Sequence, residues 1–115
     1  MELVLNGQEY SVRTEAGSLT SSIEGMLPLT LKLSRSADHE YYTSLPQTVS
    51  VDGAESTSHV KAGWIYYFKD WNAFALNFKE TDIAPYKVYV IGEVSGGIER
   101  ILDECGQSIE VTIRK

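Results

Sequence analysis

Short apolar-alternating stretches follow one another along this chain with almost no room between them, and that spacing constrains the fold more than any other feature. "ELVLNGQEYSVRTE" alternates on both sides of Asn6-Gly7, with Leu3 and Leu5 before the pair and Tyr10 and Val12 after it. Asn-Gly tolerates positive φ at both positions, so the stretch predicts a type I′ hairpin. "PLTLKLS" alternates again, placing Leu29, Leu31 and Leu33 on one face and Thr30 and Lys32 on the other. "EYYTSL", "WIYYF", "AFALNF", "KVYVIGEV" and "SIEVTIRK" read as further strands, and "KDWN" joins the second and third of these as a hairpin. Strands this close leave no space for βαβ crossovers, so a parallel sheet is excluded.

Two helices interrupt the strands. Ser18 is the expected N-cap of the first, where Leu19, Ile23 and Leu27 recur at four-residue spacing and Pro28 marks the stop. The second is "GGIERILDEC", stopped by Gly106. Residues 34–39 read as a polar turn. Pro46 to Gly63 is the longest loop-like region, with a short strand expected at Val49–Val51. With 115 residues and no linker or repeat, residues 1–115 form one domain. A mainly β barrel or sandwich with two helical caps accommodates these elements.

Composition limits the partners. Ten basic against sixteen acidic residues give a net charge of −6, with no basic run except Arg114-Lys115, which disfavours nucleic acid. No apolar run is long enough for a membrane span, and no signal peptide is visible, so a cytoplasmic location is expected. Cys105 is the single cysteine, expected as a small buried hydrophobe at a helix end.

Motifs for chemistry are sparse. Gly92, Gly96 and Gly97 lie between a strand and a helix, where phosphate loops occur. Yet neither G-x-G-x-x-G nor G-x-x-x-x-G-K-[S/T] is present, so the glycines read as a sharp turn. His39 and His59 have no partners at metal spacing, and "DHE" at 38–40 reads as solvated loop. No nucleophile elbow exists, and no carboxylate pair stands out in an apolar setting. No metal and no cofactor are expected. The aromatics carry more weight, because Trp64, Tyr66, Tyr67, Phe68, Trp71, Phe74 and Phe78 fall within fifteen residues. If Phe74, Leu76 and Phe78 point inward, alternation turns Ala75, Asn77 and Lys79 outward; on the partner strand Ile65 and Tyr67 form one set and Trp64, Tyr66 and Phe68 the other. One face of this hairpin therefore presents aromatic surface that either the long loop or a ligand must cover.

"KVYVIGEVSGGIERIL" resembles the C-terminal signature of cyclophilins, with Gly92, Val94, Gly97, Ile98 and Ile101 at the family's spacing. "FALNFKET" is similar to the family's Phe- and Thr-rich strand, "KAGWIYYF" to the strand before it, and the opening hairpin and helix match the family's order of elements. More closely, the pattern resembles a bacterial family of small cyclophilin-like proteins without known isomerase activity. The resemblance implies a cyclophilin-like closed β-barrel of about eight strands with two short capping helices. It also implies an outer groove, lined here by Tyr66, Phe68, Asn77 and Tyr41, for a peptide or small ligand. The isomerase itself uses an arginine and an F-H-R…F-M-x-Q-G-G-D segment. In its place stands "LTLKLSRSADHEYYTSL", which offers only Arg35. In ungapped register the family's groove phenylalanine, tryptophan and histidine fall at Ala75, Ile83 and Val88. The expectation is a non-catalytic binding module. The alternatives are a weak prolyl isomerase using Arg35, or another enzyme activity in the groove.

Overall fold

The computed structural model describes residues 1–115. β1 (Glu2–Leu5) and β2 (Gln8–Thr14) form the first hairpin, with φ of 53° at Asn6 and 77° at Gly7 as a type I′ turn needs. α1 (Ser18–Glu24) follows, then β3 (Leu29–Ser36) and β4 (Glu40–Ser44). The loop region holds two short strands, β5 (Ser56–Thr57) and β6 (His59–Val60). β7 (Trp64–Phe68) and β8 (Ala73–Asn77) pair across a single 3-10 turn at Lys69–Trp71. β9 (Thr81–Asp82), β10 (Val88–Val94), α2 (Ile98–Glu104) and β11 (Ser108–Arg114) complete the chain.

The strands run β2-β1-β11-β3-β4-β8-β7-β10, and β10 then pairs back onto β2, so eight antiparallel strands close into a barrel. β5 adds to the far end of β10, and β6 pairs with β9 as a separate ribbon. Inside lie Leu3, Leu5, Leu33, Ile65, Tyr67, Phe74, Leu76, Ile91, Val111 and Ile113, with Ile23 of α1 and Ile98 and Leu102 of α2 closing the ends. Alternation along each strand accounts for this set.

Closure depends on Gly92. It sits opposite Thr14 beside an irregularity in the β10–β7 register, and a Cβ there would lie 2.4 Å from the Arg13 carbonyl oxygen. The glycine-rich stretch is thus a barrel seam followed by a turn, with positive φ at Gly96 and Gly97 leading into α2.

Four local expectations are corrected. Gly17, not Ser18, is the N-cap of α1, and Ser18 makes no capping hydrogen bond. α1 ends at Glu24 with Gly25 as its cap, so Leu27 and Pro28 lie beyond the helix. Val49–Val51 is not a strand; Val49 and Val51 instead pack their side chains against the main core. β3 continues through Ser36, and a three-residue turn, Ala37–His39, with positive φ at Ala37 and Asp38 carries it into β4.

Candidate functional site

The outer face of β4, β8, β7 and β10 is the part of the wall that departs most from a simple barrel. Tyr66, Ala75 and Val88 point outward as alternation requires, yet none is exposed. The chain covers them itself: Val60 of β6 and Ile83 just after β9 form with them a second, smaller apolar cluster, flanked by Trp64 and Phe68. The covering therefore comes from both the long loop and the segment after β9.

Beside this cluster is a sheltered polar group. Asn77 is fully buried; its Nδ2 donates to the carbonyls of Lys61 at 3.0 Å and Lys79 at 2.8 Å. With both amide hydrogens committed, Oδ1 must accept, so the His39 Nδ1 at 2.8 Å carries the proton. His39 is thus a half-buried strut and not a solvated loop residue; His59 is the exposed one, paired with Glu80 at 2.5 Å. Glu40, directly across from Asn77 in the β4–β8 register, is buried and accepts a short hydrogen bond from the Tyr66 hydroxyl. A carboxylate in an apolar setting therefore does exist. It escaped the sequence reading because Tyr66 approaches it from the far strand of the β4–β8–β7 group.

Burial, and then the adjacent Glu40 carboxylate, push the Tyr66 phenol far above its ordinary value, and burial raises Tyr67 as well. The unfolded chain releases these protons near pH 10 (about 10 for a free tyrosine). Above that pH the folded state binds more protons than the unfolded one, so stability is full below pH 10 and falls as pH rises beyond it. The slope expected from Tyr66 alone is roughly 1.4 kcal/mol per pH unit. Denaturant titrations at pH 9, 10 and 11 should show this loss, and Tyr66→Phe should flatten it. An unchanged slope in the variant would contradict the assignment.

The surface end of the same face is aromatic. Phe68 lies 5.1 Å from Trp71 and 6.2 Å from Tyr86 between ring centroids, and Trp71 lies 5.9 Å from Tyr86. The contacts to Phe68 are edge-to-face, an arrangement favoured by the ring quadrupoles. Trp71 is 56% and Tyr86 53% exposed. A shallow hollow of about 280 Å³ adjoins Phe68 and Tyr86, with Lys69, Asp70 and Lys87 on its border.

Of the anticipated groove residues, only Phe68 reaches this surface. Tyr66 and Asn77 share the face but are sealed beneath the covering ribbon. Tyr41 faces the other way: β4 alternates Glu40 and Tyr42 outward with Tyr41 inward, and its hydroxyl donates to the Gly106 carbonyl at 2.6 Å. Arg35 is also occupied. Its guanidinium donates to Tyr41 at 3.0 Å, to the α2-end carbonyls of Leu102, Asp103 and Cys105 at 3.1–3.2 Å, and to Asp38 at 2.6 Å. It also lies 4.5 Å over the Phe78 ring. Arg35 caps a helix that has no basic residue in its own last turn. The sequence signal for Trp71 was the aromatic density itself; Tyr86 had none, because it arrives from a separate loop.

The sequence from residue 3 to residue 114 matches the model of the Cyclophilin-like family. The chain belongs to that family. The cyclophilin-like barrel also has a solved counterpart, the hypothetical protein AF2241 from Archaeoglobus fulgidus, determined in solution. The two superpose with a TM-score of 0.65 over 98% of this chain and 91% of that one, at 19% identity. At that identity the likeness speaks for the fold alone. No curated protein matches the chain. No helix is long and apolar enough to cross a membrane. Within this cyclophilin-like domain, Ala75, Ile83 and Val88, the positions aligned with a groove phenylalanine, tryptophan and histidine, all lie in the small outer cluster. Protein fills the place where the resemblance set a groove.

Proposed function

We propose that this cyclophilin-like domain is a non-catalytic binding module that takes an extended peptide on the platform of Phe68, Trp71 and Tyr86. The observation that carries the reading is the exposure of Trp71 and Tyr86, each more than half open while packed on Phe68. Large aromatic side chains clustered together and left in water are characteristic of recognition surfaces. The hollow beside them is shallow, which suits a segment laid across the surface better than an enclosed small molecule. Proline and aliphatic side chains would lie on the ring faces and edges, and Lys69 and Lys87 would meet acidic residues of the same segment.

An isomerase working through Arg35 is the less favoured reading, because that guanidinium is engaged with Tyr41, Asp38 and the end of α2. A hydrogen-bond donor aimed at a prolyl nitrogen has to be free to turn toward it.

Tryptophan emission titrated with a library of acidic, proline-containing dodecapeptides tests the proposal. Binding should shift the Trp71 emission to the blue. Trp71→Ala, followed by titration calorimetry because the reporting indole is gone, should weaken binding roughly tenfold or more, while its unfolding free energy stays within about 1 kcal/mol of the parent. Equal affinity of the variant, or no response from any peptide at millimolar concentration, would remove the platform as a site. A protease-coupled prolyl-peptide assay should meanwhile give a flat trace.

A further inference from the structure

One edge of β10 is shared by two strands. β2 takes it over Gly92–Val94 and β5 over Val88–Tyr89, so between them the barrel wall is bridged only where the Glu15 N–H donates to the Ile91 carbonyl at 2.9 Å. Over this breach lies a cavity of about 460 Å³, walled by the end of β2, the start of α1, the 52–57 loop, Trp64 and β10. Its volume falls in the range of small-molecule sites. Four separate parts of the chain converge to make it.

The lining chooses the ligand. Glu15, Asp52, Glu55 and Glu93 supply four carboxylates against one cation, Arg13, which is already paired with Glu93 at 3.0 Å. The remaining charge is strongly negative and disfavours an anion. Nowhere do three potential ligand side chains gather closely enough to hold a metal ion, so the negative charge is spread around the cavity and not focused on a point. Spread charge beside an apolar wall suits a cation with an organic body. Trp64 provides that wall. Its ring already attracts a cation, Lys61 Nζ at 6.0 Å from the centroid, and Lys61 is not part of the cavity lining.

We propose that this cavity is a binding site for a small organic cation, an amine or amidinium carried on an apolar group, held by Glu15, Asp52 and Glu55 with its body against Trp64. The site is separate from the Phe68 platform and does not depend on that reading.

Benzamidine and phenethylamine are the probes, with phenylacetate as the anionic and benzyl alcohol as the neutral control. Tryptophan fluorescence and thermal shift on the whole chain should report binding of the two cations and neither control, weakening as salt is raised. The double variant E15Q/E55Q changes exposed side chains only, so its unliganded melting point should match the parent. It should bind benzamidine about five- to tenfold more weakly. Trp71→Ala should leave benzamidine binding unchanged, which keeps this test distinct from that of the peptide platform. Equal binding of phenylacetate or benzyl alcohol, an unaltered affinity in E15Q/E55Q with its fold intact, or no response to either cation at millimolar concentration would each overturn the proposal.

Discussion

Replacing Gly92 with alanine should destabilise the protein by about 3 kcal/mol or more, enough to leave a substantial unfolded population in a domain of this size. The added methyl would meet the Arg13 carbonyl oxygen at 2.4 Å, and the Arg13 carbonyl carbon and Thr14 Cα at 3.1 Å each. All three are backbone atoms, so no side chain can swing away to relieve the contact. Either β10 moves off β2 and the barrel opens at its closing pair, or the strain is held in both strands. Gly106→Ala is the matched control: nothing lies within 4 Å of a Cβ there, and its φ is not in the left-handed region. That variant should be neutral or slightly stabilised, through a less flexible unfolded chain. Urea titrations of the two variants beside the parent decide the matter. A Gly92→Ala protein within about 0.5 kcal/mol of the parent would refute the seam.

Tyr66→Phe should cost about 1.5–3 kcal/mol at neutral pH, the range for losing a hydrogen bond to a charged group. Glu40 is buried and accepts its short hydrogen bond from Tyr66, so the variant strands a carboxylate beneath the ribbon. The His39 Nδ1 lies 3.8 Å from the same oxygen and is committed to Asn77, so it offers no direct replacement. Removing both members behaves differently, because the penalty comes from the orphaned partner. The double variant Glu40→Leu/Tyr66→Phe should therefore recover a large part of the loss. A thermodynamic cycle over the four proteins measures the coupling. Strict additivity would mean that the two side chains do not depend on each other.

How much of this was readable beforehand depended on whether a feature was local. Asn6-Gly7 announces its own turn, and the alternation through Trp64–Phe68 and Ala73–Phe78 separates each strand into two sets, of which Ile65, Tyr67, Phe74, Leu76 and Phe78 enter the main core. The β3–β4 turn carries no such mark. Ala37 and Asp38 adopt φ of 52° and 55° without a glycine, and Asp38 is held by Arg35 at 2.6 Å and Lys79 at 3.2 Å. Those partners, Lys79 above all, are fixed by tertiary structure and override the local preference. Arg35 itself looked available because nothing in its neighbourhood shows that α2, more than sixty residues later, ends against it. The resemblance puts Tyr41 in a groove, whereas β4 turns it inward between Glu40 and Tyr42. Alternation turns Asn77 to the outer face, but its burial there is completed by the Lys61 carbonyl and His39, which arrive from elsewhere in the chain.

β7 and β8 have protein on both sides, the barrel interior on one and the ribbon-covered cluster on the other. Any fluctuation that frees these two strands must breach two dry compartments at once, so local opening there approaches the difficulty of unfolding the whole molecule. Phe68 ends one of those strands. An incoming partner would accordingly find its landing ground already set, and would spend little of its affinity on ordering it.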